Sequence, residues 1–149
     1  MKIVPAQGYS TRLIREPSSD DIPLCELVIA GRPTGKVMQG AVFQAALQWH
    51  DYVLLFATDD VPFEEGLSIY LLDQRLSVVD RARMYFIYSP GIFSDLDLSE
   101  DDTVRFRFIG DCIWKLTLHS TKKFAIPILS KPLGVHRPLR FFRRFEITR

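Results

Sequence analysis

Between residues 92 and 128 apolar and polar side chains alternate with a period of two. Leu96 and Leu98 alternate with Asp95 and Asp97, Val104, Phe106 and Phe108 with Arg105 and Arg107, and Trp114, Leu116 and Leu118 with Ile113, Lys115 and Thr117. Successive side chains of a strand point to opposite faces, so each run predicts a strand with one apolar face. Residues paired across an antiparallel ladder share a face, which excludes any register whose paired numbers sum to an odd value. The pairs are expected to sum to 202 in the first hairpin and 222 in the second, setting Asp97 opposite Arg105 and Asp95 opposite Arg107 as exposed ion pairs. A two-residue turn at Gly110 and Asp111 would put Phe106 opposite Lys115, so a three- or five-residue loop is required. Phe106 and Leu116 should share a buried face, with Arg105 and Thr117 outward.

The rest of the chain reads mainly as further strands. In "VFQAALQW" Phe43, Ala45, Leu47 and Trp49 fall on one face and Gln44, Ala46 and Gln48 on the other, although Val42, Ala45, Ala46 and Trp49 also fit helical spacing. "YVLLFA" follows, then the loop "TDDVPFEEG", then "LSIYLLD" and "LSVVDRARMYF" about a turn led by Asp73. In "LRFFRRFEITR", four of the five odd positions from Leu139 to Ile147 are apolar, which predicts a closing strand with Phe142 as an exposed misfit rather than a basic tail. Residues 1–23, with Pro5, Gly8, Pro17, Pro23 and "SSDD", read as a mostly irregular lead-in. Single-faced strands at short spacing must bury those faces against one another. The expected fold is therefore all-β, an antiparallel two-sheet sandwich or flattened barrel of roughly nine strands with little helix.

Composition narrows the class. The 149 residues are 47% apolar and 25% charged with eleven Phe, a composition that builds one folded domain, residues 1–149, without metal or disulfide support. The two cysteines, Cys25 and Cys112, sit in apolar runs and read as buried thiols of a reducing compartment. The apolar run at the start is broken by Pro5 and shorter than a signal segment, and no run reaches the length of a membrane span. A cytoplasmic location without membrane contact is expected by exclusion. Net charge is only +1, but residues 1–109 carry 10 basic and 16 acidic groups, whereas residues 110–149 carry 9 and 2. Such asymmetry signals either an anionic partner or neutralisation by the acidic part of the same chain.

Candidate chemistry is sparse. "AGRPTGKV" approaches a phosphate-cradling loop, but Val37 lacks the hydroxyl a magnesium ion needs, Pro33 removes a loop amide, and a strand rather than a helix follows; a Gly and Pro turn is the better reading. Asp59, Asp60, Glu64 and Glu65 flank Pro62 without the spacing of a calcium loop. His50, His119 and His136 lie far apart with no zinc spacing, so no metal or other cofactor is expected. No serine or cysteine stands in a nucleophile motif, so no catalytic residue is nominated. Arg137, Arg140, Arg143, Arg144 and Lys131 suit phosphates, but an overall pI near 7.8 argues against a nucleic-acid domain. The pattern points to a non-enzymatic protein interaction module of inhibitor, immunity or adaptor type. Its candidate contacts are Asp59, Asp60, Glu64 and Glu65 of the acidic loop and Arg140, Phe142 and Arg144 of the basic segment. A β-barrel carrier enclosing a small molecule is the alternative.

Overall fold

The computed structural model describes residues 1–61, 63–85, 90–110, 112–124, 134–137 and 142–149, with backbone alone for 121–124 and 142. Among these residues the protein is all-β, with thirteen strands in three antiparallel sheets that do not close into a barrel. A six-stranded sheet runs in the order β1 (Val4–Pro5), β5 (Val42–Trp49), β6 (Tyr52–Thr58), β7 (Leu67–Leu72), β8 (Val78–Met84) and β12 (Val135–His136). A three-stranded sheet is formed by β2 (Tyr9–Arg15), β3 (Leu24–Ile29) and β4 (Arg32–Gln39). The remaining four strands run in the order β13 (Phe142–Thr148), β11 (Trp114–Phe124), β10 (Thr103–Arg107) and β9 (Ser94–Asp97).

The six-stranded sheet lies in the middle, and the apolar runs of β6 and β7 show why. Leu54, Phe56, Leu67, Ile69 and Leu71 point to one face and pack against Val104, Phe106, Trp114, Leu116, Phe145 and Ile147 of the four-stranded sheet. Val53, Leu55, Tyr70 and Leu72 point to the other and pack against Cys25, Leu27 and Met38 of the three-stranded sheet. A strand covered on both faces needs apolar side chains at consecutive positions, which is what "YVLLFA" supplies. The sandwich therefore has three layers rather than two, and more strands than the roughly nine expected.

Residues 1–23 hold nine strand residues among fourteen irregular ones: β1 pairs with β5, and β2 pairs with β3 from Tyr9↔Ile29 to Arg15↔Leu24. β2 is an edge strand with five of its seven residues exposed, so burial imposes no alternation on its sequence. In β5 the ladder shifts between Phe43↔Ala57 and Ala45↔Phe56, a bulge that absorbs Gln44. The extra residue flips the faces, so Phe43 joins Ala46 against the second core while Ala45, Leu47 and Trp49 face the first.

In the four-stranded sheet the parity argument holds for the second hairpin, though not its exact register, and a bulge breaks it in the first. Phe106 and Leu116 are fully buried, with Arg105 and Thr117 on the opposite face. The second hairpin pairs Val104↔Leu116 and Phe106↔Trp114, a sum of 220 rather than 222. The connection is longer because Phe108 and Ile109 turn into the core, where the Ile109 carbonyl accepts from the Trp114 indole N–H at 3.3 Å. In the first hairpin Asp97 lies opposite Arg105, but Arg107 lies opposite Ser94, because the ladder shifts at Asp95, whose φ is 54°. Asp95 still reaches Arg107 at 3.0 Å. Asp97 forms no ion pair with Arg105: it accepts from the Ser99 N–H, and Arg105 pairs with Glu100.

The near-match to a phosphate loop is a β-hairpin. Ile29 pairs with Arg32 across a two-residue turn in which Ala30 has φ 52° and Gly31 φ 78°, and the Gly35 N–H donates to Glu26 at 2.8 Å. Both turn positions are left-handed, a conformation that Asn and Gly adopt with little penalty and alanine does not. Ala30→Asn is expected to stabilise the protein by about 0.5–1 kcal/mol, a rise of roughly 1–4 °C in Tm. Calorimetry would check this, and an unchanged or lower Tm would contradict the turn assignment.

Candidate interaction face

The three-stranded sheet is narrower than the sheet it covers. On the covered face the second core draws on Ala46 of β5, Val53 and Leu55 of β6, and Tyr70 and Leu72 of β7. Past them the same face turns polar. Tyr70 pairs with Arg81, Ser68 pairs with Arg83, and Arg83 pairs with His136. Arg81 and Arg83 stand two residues apart on β8 and share a face, while the intervening Ala82 and the following Met84 enter the first core. The uncovered part of the central sheet is thus a rigid floor carrying two guanidinium groups and an imidazole.

Arg83 is held in place. Its Nη1 donates to Asp59 Oδ1 at 3.1 Å and to Ser68 Oγ at 3.0 Å, and its Nη2 donates to Asp59 Oδ2. This two-pronged pairing fixes the plane of the guanidinium. A Cβ on Gly66 would collide with both Asp59 Oδ2 and Arg83 Nη2, so the clamp requires glycine there. Glu65 Oε1 accepts from the N–H groups of Asp59 at 2.8 Å and Gly66 at 3.1 Å, and burial pushes its carboxyl above the usual range. The acidic loop is therefore divided: Asp59 and Glu65 serve the fold, whereas Asp60 is exposed and Glu64 half-exposed.

Two grooves meet at Arg83. One, of about 230 Å³, is lined by Gln39, Tyr70, Arg81, Ala82, Arg83, His136 and Arg137, although the Arg137 side chain turns away to Asp80. The other, of about 260 Å³, runs along residues 17–23 with Asp20, Asp21, Asp59, Glu64 and Tyr85 in its walls. The first groove is basic and the second acidic. A separate recess of about 450 Å³ opens beside Tyr9, Ile29, Val53 and Leu76, with Gln48, Asp51 and Asp73 at its rim.

Among the described residues of the basic C-terminal quarter, Arg137 and Arg144 are engaged within the fold. The Arg137 side chain is buried against Asp80, donates to the Phe145 carbonyl at 2.8 Å, and stacks on the Phe145 ring at 4.3 Å. Arg144 donates to the carbonyls of His119 and Ser120, both at 3.2 Å, and its guanidinium lies 4.9 Å from the centre of the Tyr52 ring. Arg143 is buried, and desolvation followed by the like charge of Arg137 holds its guanidinium below the ordinary value. Arg140 and the side chain of Phe142 lie outside the described residues. Of the sequence candidates, Asp59 and Glu64 line the acidic groove, while Arg144 works inside the fold.

Arg81, Arg83 and Tyr70 are not among the residues the sequence singles out, and His136 enters there only as a rejected zinc ligand. The available signal was "DRARM", where two arginines alternate with core residues. Their meeting with Tyr70 and with His136, some fifty residues later, depends on strand order. Among the described residues no cluster of three or more His, Cys, Asp and Glu side chains could hold a metal ion. The chain matches no protein-family model, and no curated protein and no solved structure is significantly similar to it.

Proposed function

We propose that this protein is a non-enzymatic interaction module, of inhibitor, immunity or adaptor type, that docks another protein on the uncovered half of its central sheet. The observation that carries this reading is the juxtaposition of a basic and an acidic groove on one rigid floor, either side of the Arg83–Asp59 clamp. Segregated charge of this kind fixes orientation and selects partners more than it adds raw affinity. The internal use of Arg137 and Arg144 supports a protein partner over a nucleic acid, because those cations are already engaged. The carrier alternative assumed a closed barrel, and the sheets are open.

The test is a pull-down from the native host with the intact chain, Arg81→Glu, Glu64→Lys, and Arg32→Glu as a control on an exposed hairpin tip, followed by binding to the purified partner. A partner kept by the intact chain and the control, but weakened at least about tenfold by each groove variant, supports the reading. Equal retention by all four chains overturns it.

A further inference from the structure

We infer that Tyr70 and Arg81 form a subsite for one carboxylate, supplied by an Asp or Glu side chain of the docked protein. This inference rests on the interaction reading above and names what the basic groove recognises. The two residues are direct cross-strand partners on the floor of that groove. Tyr70 is 6% exposed, and its hydroxyl oxygen accepts from the Gln39 N–H at 3.1 Å. That bond uses a lone pair and leaves the hydroxyl proton to donate, and no acceptor for it is present among the described residues. A buried donor without an acceptor is costly, and a ligand oxygen would relieve it.

Arg81 supplies the charge. Asp59 matches Arg83 and Asp80 matches Arg137, but no carboxylate among the described residues lies within ion-pairing distance of Arg81. One unmatched guanidinium beside one free hydroxyl proton suits a monoanion with two oxygens. The hydroxyl takes one oxygen and the guanidinium the other. A phosphate dianion would require a second unmatched cation, and Arg83 is already committed to Asp59.

The probe is an end-blocked hexaglutamate peptide, titrated at low salt and followed by amide chemical shifts, with acetate and inorganic phosphate as separate arms. Saturable shifts at residues 70, 81 and 136 are expected, weakened about ten- to hundredfold by Arg81→Gln and about tenfold by Tyr70→Phe. Circular dichroism establishes that each variant is folded; should Tyr70→Phe lose its fold, Arg81→Gln alone decides. Unchanged affinity in Arg81→Gln, absence of shifts in the intact chain, or phosphate displacing the peptide better than acetate would each overturn the carboxylate subsite. Hexaglutamate failing to bind while the host partner still depends on Arg81 and Glu64 removes this inference and leaves the interaction reading standing. Hexaglutamate binding as expected, with no partner lost on either substitution, does the reverse.

Discussion

Deleting residues 139–149 is expected to unfold the protein rather than trim a tail. The deletion removes β13, including Phe145 and Ile147, both buried in the first core. Burying each such side chain contributes about 1.5–3 kcal/mol. It also strips the edge of β11, which pairs with β13 from Lys115↔Thr148 to Phe124↔Phe142. The loss reaches further, because Asp80 gives up the N–H donors of Arg144 and Phe145, and Arg137 gives up the ring on which it stacks. Against a total stability of about 5–15 kcal/mol, these losses together leave little or nothing. Loss of the near-ultraviolet dichroism of the buried Trp49 and Trp114 in the truncated chain would be the readout. A cooperative melt unchanged from the parent would contradict the closing-strand role.

Asp80→Asn should be the most damaging isosteric change. Asp80 is 2% exposed and receives donors on both oxygens: the Arg81 N–H on Oδ1, and the Arg137 guanidinium with the Arg144 and Phe145 N–H groups on Oδ2. An asparagine offers one acceptor oxygen, so its amide group must point a donor at a donor whichever way it lies. The substitution also leaves the buried Arg137 without its counter-charge. Removing one member of a buried pair costs about 3–5 kcal/mol, which lowers Tm by roughly 6–20 °C. Denaturant unfolding measures the difference, and a near-neutral result would mean that water reaches the cluster. Asp97→Asn is the matched control: Asp97 is exposed, accepts from Ser99 within its own turn and feels the charge of Arg105 across the ladder, so its replacement should change little and in a salt-sensitive way.

These two sites show what could be read from the sequence. Alternation along β10, β11 and β13 identified Phe106, Leu116, Phe145 and Ile147 as core because a strand with one wet face must repeat every two residues. Alternation fixes the parity of a register, not its value, so the inward turn of Phe108 and Ile109 moved the second hairpin by two without breaking the pattern. The third layer was written in the unbroken apolar runs of β6 and β7, which a two-layer fold has no use for. Arg143 and Asp80 were the harder cases. Each sits at an inward position of a strand, and the charge of Asp80 looks like an exception there until its partner Arg137, 57 residues away, is found. Asp59 and Glu65 were equally opaque, because a carboxylate that accepts backbone N–H bonds has the same letter as one facing water.

The double-faced central sheet also has consequences for how the molecule opens. Each outer sheet buries its apolar face against that one layer, through a cluster of twenty buried residues on one side and eight on the other among those described. The three-stranded sheet can then detach as a small unit at a fraction of the global unfolding free energy, leaving the larger cluster closed. β6 and β7, paired along both edges and covered above and below, are placed to be the slowest in amide exchange. Tyr70 belongs to the layer that stays, and Gln39, whose N–H it receives, belongs to the layer that leaves. Occupation of the neighbouring groove would therefore register as slower exchange throughout β2, β3 and β4, including β2 and β3, which line no part of that groove.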